Sequence, residues 1–356
     1  MAQRQWRSDD TDPWKEAFGN AAIDVIKTTN ETASPANATC IGTASTKALS
    51  LGAASTFANN DIVLIHQTQK ATGAGVWELN RIVSGAGTTS LTMKYDLMNT
   101  YVANAQIVGA IMAKNYTINT GVTVTLPAWD GAKGGIYFVI AKNAISVVGT
   151  IQASGKGFRG PGGGSQGESE LGAGASNNQG ANGMGGGAAL YNSSPGGGGH
   201  ATAGQAGTSG GGETYVGAGG GTFGNASLTI MDFGGAGGGN GDAGGNGHGG
   251  GAVVLIGKTI TVTGSILANG TVASTAAGAG GSTLYKGEVI NLGSGLVAAN
   301  GAIGATYARK CGDGGNGRNH ADYSKTLSGT TSPSLDYTLD VTIKAGGGAP
   351  RVVNFN

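Results

Sequence analysis

The sequence predicts an all-β protein in which an N-terminal β-barrel or sandwich is followed by β-solenoid-like coils. These coils enclose a glycine-rich bundle of polyglycine-II helices. Three observations predict this fold: short Val-, Ile- and Thr-rich runs between turn residues, an internal repeat of about twenty residues, and 72 glycines among 356 residues.

The glycine content excludes several fold classes. Glycine costs about 1 kcal/mol at each helix-interior position, so helical bundles and long coiled coils are ruled out. Collagen is ruled out because runs such as 196–199 break a strict triplet and the chain has only 7 prolines.

The charge balance excludes another class. Lysine and arginine number 21 and aspartate and glutamate 20, which gives a net charge of +1 and no field to attract a polyanion. We therefore expect no nucleic-acid partner. No run of 18 apolar residues occurs and the amino terminus has no apolar signal core, so we expect neither a membrane span nor Sec export.

The first two predicted regions are an arm and a barrel. Residues 1–30 form an N-terminal docking arm in which Trp6 and Trp14 are the docking candidates, because aromatic residues dominate interface anchors. Alternatively, both tryptophans fold back onto their own domain. Residues 31–133 contain several short β runs, such as 62–65 and 122–126, and predict the barrel or sandwich domain.

An internal repeat predicts the solenoid-like coils. Residues 135–155 read GIYFVIAKNAISVVGTIQASG, and residues 251–270 read GAVVLIGKTITVTGSILANG, the same pattern with one residue removed. A partial third copy ends at Gly301. We expect a first strand pair within 134–155 and further strand pairs within 251–301, stacked on one another.

The region 156–250 between these copies is the richest in glycine. Residues 155–251 contain 40 glycines. A flexible linker of this length inside a compact repeat would be unusual, and bare extended helices of the polyproline-II type can pack closely through sideways hydrogen bonds. In such a bundle Ala, Ser and Asn should face outward or cap the bundle, and bulkier interruptions should lie at its ends. We expect Ile230 and Phe233 to pack on the solenoid.

The remaining section, 302–356, contains further glycines and ends in an alternating segment typical of an edge strand. The sequence leaves open whether that strand pairs within its own chain or with a neighbouring subunit. It also leaves open whether Cys40 and Cys311 are bridged.

The search for catalytic or metal-binding motifs yields no site. Gly-x-Gly-x-x-Gly is expected by chance at this glycine content and carries no weight. The four histidines have no ligand spacing. His66 is expected to be a barrel residue whose hydrogen bonds are satisfied, and His320 with Asp313 and Asp322 is the nearest polar cluster. A single calcium-like segment, 238–242, has no tandem copy. We therefore predict no catalytic residue, no metal and no cofactor.

Several phrases of the sequence resemble glycine-rich virion proteins of tailed bacteriophages. They are WRSDD at 6–10, DIVLIHQT at 61–68, WELN at 77–80, WDG at 129–131, GKGFRG at 155–160 and RNHADY at 318–323. The glycine-rich region is separately similar to phage tail-fibre adhesins whose glycine-rich helices stack as a sandwich and present loops to a host surface molecule. The barrel and the repeated strand pairs depart from those adhesins.

The resemblance implies a non-enzymatic structural or adhesin protein of a phage tail tip or tail fibre, located in the virion. Its expected partners are other virion proteins, bound through the N-terminal arm, and a host cell-surface glycan or outer-surface protein, with a homo-oligomeric assembly. The receptor-contact candidates are Glu168, Leu190, Tyr191, Glu213, Thr214 and Tyr215; alternatively, these side chains only cap the bundle. The alternative function is that of a subunit of a bacterial or archaeal extracellular surface filament or matrix. A third and more distant interpretation is an enzyme that acts on polysaccharide.

Overall fold

The chain is all-β in a computed structural model that describes residues 23–54, 56–161, 165, 167–172, 194–208, 216–239, 247–273, 276–306 and 310–343. These residues form strands, turns and extended segments, and none of them lies in an α-helix. The described ranges therefore contain no helix that is long and apolar enough to cross a membrane.

The strands divide into a closed barrel and a curled parallel sheet. The barrel strands are β3 (Asn37–Gly42), β4 (Ala48–Leu51), β5 (Ile62–Gln67), β6 (Trp77–Ser84), β7 (Ser90–Met93) and β8 (Tyr101–Gly109). The sheet strands are β1 (Val25–Lys27), β2 (Glu31–Thr32), β9 (Ile111–Ala113), β10 (Tyr116–Ile118), β11 (Thr123–Thr125), β12 (Ile136–Val147), β13 (Thr150–Gln152), β14 (Ala252–Val262), β15 (Ser265–Leu267), β16 (Ser282–Ala298), β17 (Arg318–Ser332) and β18 (Asp336–Leu339).

The parallel sheet is a stack of coils, each a strand in a long arm followed by a turn and a strand in a short arm. The strands of the sheet follow the order β1-β10-β12-β14-β16-β15-β13-β11-β2. The first four strands in this order belong to the long arm, and the last four belong to the short arm. The long strand β16 belongs to both arms, and β17 pairs with it over its whole length. We number the coils 1 (β1–β2), 2 (β9–β11), 3 (β12–β13), 4 (β14–β15), 5 (β16) and 6 (β17).

The internal repeat corresponds to coils 3 and 4, which pair in register. Ile136 lies opposite Ala252 and Val147 opposite Val262. The one-residue difference between the copies is absorbed by a β-bulge between Ala141 and Ala144, as expected when one strand carries an extra residue. The prediction that the repeats stack is confirmed.

The apolar core of the stack lies between its two arms. It includes Val139 and Ile145 of the long arm and Ile151 and Ile266 of the short arm, all fully buried. Glycines form the corner between the arms: a Cβ on Gly264 would lie 1.9 Å from the carbonyl oxygen of Gly149. Only a residue without a side chain allows this approach.

The barrel is an insertion between coils 1 and 2. Its strands follow the order β3-β4-β7-β6-β5-β8 and close on β3, and its own core includes Ile65, Ile82 and Ile107. It occupies a shorter span than the expected 31–133, because residues 111–125 pair in the parallel stack instead. A separate apolar cluster, including Leu64 and Trp77 of the barrel and Phe138 of the stack, joins the two.

Glycine-rich segments between coils form a third part, the glycine body, which comprises 194–208, 216–239, 247–251, 276–281, 299–305 and 311–317. Apart from isolated bridges at Ser194, Val216 and Ile230, their residues belong to no β-strand pair. The run 247–251 continues into β14, 276–281 into β16, and 311–317 into β17. Each of these strands is therefore prolonged by a glycine run.

Hydrogen bonds around the run 194–199 repeat every three residues. The carbonyl oxygens of Ser194, Pro195 and Gly196 accept from the amides of Gly217, Gly312 and Gly238, and those of Gly197, Gly198 and Gly199 accept from Gly220, Gly315 and Gly235, at 2.8–3.1 Å. Successive carbonyls thus face three different neighbouring runs and then return to the first. A β-strand would give a period of two.

The run 194–199 is completely enclosed. Cβ atoms on Gly196, Gly197 and Gly198 would lie 1.8–2.1 Å from carbonyl oxygens of Ala218, Asp313 and Gly235. The outer run 203–208 has glycine only where it faces inward, at Gly204 and Gly207, while Ala203, Gln205 and Ala206 are exposed.

Some side-chain expectations for this region were correct and others were wrong. Phe233 shares an apolar cluster with Ile136 and Phe138 of the stack, as predicted, whereas Ile230 pairs with Val76 of the barrel. Alanines of the region 156–250 were expected to face outward or to cap the bundle, but Ala236 is fully buried. Cys40 and Cys311 are both buried and form no disulfide.

Candidate functional site

The glycine body has one end at which several of its runs begin or finish. Ser194 forms a bridge with Val216, Thr208 donates its amide to the carbonyl of Lys310, and Thr306 pairs with Lys310. We call the end formed by Ser194, Thr208, Val216, Thr306 and Lys310 the distal end. Chain segments outside the described residues begin or finish at each of these five residues.

The polar chemistry of the distal end is centred on Asp313. Its Oδ2 atom lies 2.6 Å from Nζ of Lys310, and its Oδ1 atom accepts a 2.8 Å bond from the amide of Gly304. The lysine side chain is 41% exposed and the aspartate 21%, so this pair adds little stability. It fixes the position of a charged, solvent-reachable group at the end of the body.

The predicted recognition and docking residues fall mainly outside the described ranges. Leu190, Tyr191, Glu213, Thr214 and Tyr215 lie there, and so do Trp6 and Trp14. Along the sequence, Tyr191 precedes Ser194 by three residues and Tyr215 immediately precedes Val216. Ser194 and Val216, the described residues that follow these tyrosines in the sequence, therefore lie at the distal end, where they form a bridge with each other.

Glu168 is the one receptor-contact candidate that the structure describes. It is only 7% exposed, and its carboxylate accepts from the guanidinium of Arg159, with Nη2 to Oε1 at 2.5 Å. Hydrogen bonding to Glu168 raises the pKa of Arg159. The amide of Ala236 donates to the Glu168 carbonyl, so this residue ties an early loop to the glycine body.

The opposite end of the glycine body meets the barrel at a joint that sequence reasoning missed. The indole Nε1 of Trp77 donates to the carbonyl of Leu228 at 2.8 Å, and Nε2 of His66 donates to the carbonyl of Met231 at 2.6 Å. The amide of Met231 in turn donates to Gly75. The prediction that His66 is a satisfied barrel residue is confirmed, because its Nδ1 also bonds Thr68 Oγ1.

His320 belongs to a polar cluster on the last coil, in which one predicted partner, Asp322, is present and the other, Asp313, is replaced by Asp336. Its Nδ1 lies 2.8 Å from Oδ2 of Asp336, and its Nε2 lies 3.1 Å from Oδ1 of Asp322. Nζ of Lys286 lies 3.0 Å from the other oxygen of Asp322. The expected partner Asp313 belongs instead to the distal end, because sequence proximity does not fix which coil a residue joins.

Within the described ranges, no group of three or more His, Cys, Asp or Glu side chains could hold a metal ion. Asp242, the acidic residue of the calcium-like segment 238–242, lies outside those ranges.

Comparison with known proteins gives little further information. No family model and no curated protein matches the chain. Among solved structures, it has a weak likeness to the tailspike protein gp49 from Pseudomonas phage LKA1, with 12% sequence identity and a TM-score of 0.22. The match covers 89% of this chain and 48% of that chain, so the chain spans about half the length of the tailspike.

Proposed function

We propose that this chain is a non-enzymatic structural protein of a phage virion, at a tail tip or tail fibre. In this proposal the glycine body is a rigid support that holds host-binding loops at its distal end. The observation that carries the proposal is the threefold hydrogen-bond pattern around the enclosed run 194–199, because it implies a stiff body built without side chains.

A bundle of polyglycine-II helices accounts for that pattern. An extended helix with three residues per turn and no internal hydrogen bonds directs its carbonyls in three directions. The runs containing Gly217 and Gly220, and Gly312 and Gly315, follow the direction of 194–199, whereas Gly238 and Gly235 run opposite to it. Such mixed directions are compatible with helices that bond sideways to every neighbour.

Rigidity matters for recognition because ordering a loop on binding costs free energy. A support whose amides and carbonyls are already paired anchors loop ends with little further entropy loss. Tyr191 and Tyr215 are then the recognition residues of greatest interest, since tyrosine combines contact area with a polar tip. Leu190, Glu213 and Thr214 accompany them, and the ligand class is a host cell-surface glycan or outer-surface protein.

Attachment to the particle is assigned to the N-terminal arm. Trp6 and Trp14 would anchor it on another virion protein, and copies of the chain would associate as a homo-oligomer. No cofactor takes part in this function.

The proposal is tested by binding of the full chain to a panel of bacterial envelopes. Y191A and Y215A should each lower binding at least tenfold, whereas Y337A, which removes a tyrosine that is 60% exposed on β18, should not. Equal loss with Y337A would contradict recognition at the distal end. Mass spectrometry of purified virions that found no trace of this chain would contradict the virion assignment.

The alternative is a subunit of an extracellular filament or matrix. It is favoured by the short edge strand β18, which pairs only with β17 among the described residues and is exposed along its length. Concentration-dependent filaments of purified protein, seen by electron microscopy, would support this alternative over the phage assignment.

A further inference from the structure

The coil stack has a lower end at coil 1 and an upper end at β18, and the two ends are built differently. At the lower end, Lys27 and Glu31 lie opposite the buried core residues Ile118 and Val124. Nζ of Lys27 lies 2.7 Å from Oε1 of Glu31. Charged side chains at core-facing positions oppose the addition of another strand to an edge. The lower end is therefore closed by the chain's own ion pair.

The upper end has apolar side chains at core-facing positions instead. β18 pairs only with β17 among the described residues. Tyr337 lies opposite Ala321, which is buried in the core, and Leu339 lies opposite Tyr323, which packs against that core. Nevertheless Tyr337 is 60% exposed and Leu339 is 58% exposed. An open strand edge with exposed apolar side chains is a surface on which another strand can add.

The chain returns to this edge by a short path. Each residue of β18 follows its partner on β17 by 16 residues, as Tyr337 follows Ala321. The chain turns after β18, where the amide of Ile343 donates to the carbonyl of Asp340. Ile343 is only 7% exposed, so the chain is still packed on the molecule where the described range 310–343 ends.

A second return of the same length brings an alternating segment to β18. Residues 351–356, which lie outside the described ranges, read RVVNFN. Sixteen residues after Tyr337 stands Val353, and sixteen residues after Leu339 stands Phe355. The two core-facing positions would thus receive apolar side chains, as a strand with one buried face requires. Moving the register by one residue in either direction would place an asparagine opposite Leu339.

We propose that residues 352–355 pair in parallel with β18 of their own chain and cover Tyr337 and Leu339. The added strand supplies two apolar side chains to the open end of the core and bonds the backbone groups at the free edge of β18. It also occupies the edge to which a second copy of the chain could add a strand. Filament growth by direct pairing of β18 between copies is therefore excluded, and host binding at the distal end is unaffected.

Disulfide trapping in the full chain tests the pairing and its register. Neighbouring strands lie about 4.8 Å apart, a separation that a disulfide can bridge. In L339C/F355C, oxidation with copper phenanthroline should cross-link the chain internally at least tenfold faster than in L339C/N354C, whose second thiol points to the opposite face. The native Cys40 and Cys311 are buried, and the unmutated chain serves as the blank.

Amide exchange gives a second measurement that needs no new thiol. The amide of Asp340 donates to the carbonyl of Tyr323 on β17. Because backbone groups alternate between the two edges of a strand, the amides of Tyr337 and Leu339 face the free edge. The added strand should protect both amides from exchange in the full chain.

Two variants link that protection to the predicted register. F355D places a charge at a core-facing position and should raise the exchange rates of the two edge amides at least tenfold. N356D adds the same charge at the next position, which faces outward and follows the last partner on β18, and should change these rates less than twofold.

Several results would overturn the proposal. Disulfide-linked dimers in place of the internal cross-link would assign the covering strand to a second copy. Equal cross-linking of the two cysteine pairs, or unprotected amides at Tyr337 and Leu339 in the unmutated chain, would show that residues 352–355 do not pair with β18 in this register. Since envelope binding is not measured, such a failure leaves the proposed function standing.

Discussion

Individual glycines in the enclosed run are required by the space available to them. At Gly198, a Cβ would lie 2.1 Å from the carbonyl oxygen of Gly235, and the φ angle is not in the left-handed region. The requirement is therefore close approach of two backbones and not conformational freedom. This distinguishes it from Gly73, which has φ of +82° and open space around its missing side chain.

The variant G198A tests that requirement. The added methyl group must push two hydrogen-bonded runs apart, so we expect a loss of about 1–3 kcal/mol in the free energy of unfolding, measured by urea denaturation. The matched control is A206S on an outer run, where the side chain is exposed and the change should be within about 0.5 kcal/mol. Equal effects of the two variants would contradict close packing of the runs.

Asp322 gives a second prediction at the residue scale, concerning acid stability. Burial alone would raise its pKa, but the bonds from His320 and the charge of Lys286 outweigh burial and lower it. A carboxyl with a lowered pKa stabilises the folded state above about pH 4, and this contribution is lost as the pH falls through the native value.

Unfolding free energies between pH 6 and pH 2.5 check this prediction. D322N should lower stability by about 1.5–3 kcal/mol at pH 6, because it removes hydrogen bonds to a charged group, and it should flatten the acid limb of the profile. D96N serves as the exposed control. An unchanged acid limb in D322N would show that other carboxyls cause the acid loss.

At the level of elements, the sequence predicted part of the stack. Coils 3 and 4 share a visible pattern, so their parallel pairing could be predicted. Coils 1, 2 and 6 were missed because they lack the Gly-x-Ile-x-Ala phrase. A weaker signal joins coil 1 to coils 3, 4 and 5: a buried alanine follows the short-arm strand at Ala33, Ala153, Ala268 and Ala299, whereas Leu126 has this position in coil 2.

The candidate site was less predictable than the stack. Composition and repetition indicated extended glycine runs, but the joint with the barrel depends on contacts such as Trp77 with Leu228, which are 151 residues apart. Nothing local in either segment identifies the other as its partner. The same limit explains why His320 was grouped with Asp313 instead of Asp336.

At the scale of the whole molecule, the barrel is a separable unit. Its core residues all come from its own strands and connections, and its ends meet where the amide of Gly109 donates to the carbonyl of Ala36. We expect a fragment of residues 35–110 to fold alone and to unfold cooperatively by circular dichroism and urea denaturation.

Two alanine variants make that prediction specific. I65A removes a fully buried side chain of the barrel core and should destabilise both the fragment and the full chain by about 2–4 kcal/mol. L64A removes a side chain that faces the stack, so it should destabilise the full chain but change the fragment by less than about 1 kcal/mol. A fragment that fails to fold would show that the barrel depends on the stack.

The three-residue period of the enclosed run also sets a rule for how such a body can change in length. In the polyglycine-II helix proposed for this run, inserting residues in multiples of three would add whole helical turns, about 9 Å each, and would leave every later carbonyl facing its former neighbour. Insertions of one or two residues rotate the remainder of the run by a third of a turn and misdirect every later bond. Insertions of whole turns would lengthen the glycine body during evolution while the loop ends at its distal end stay side by side.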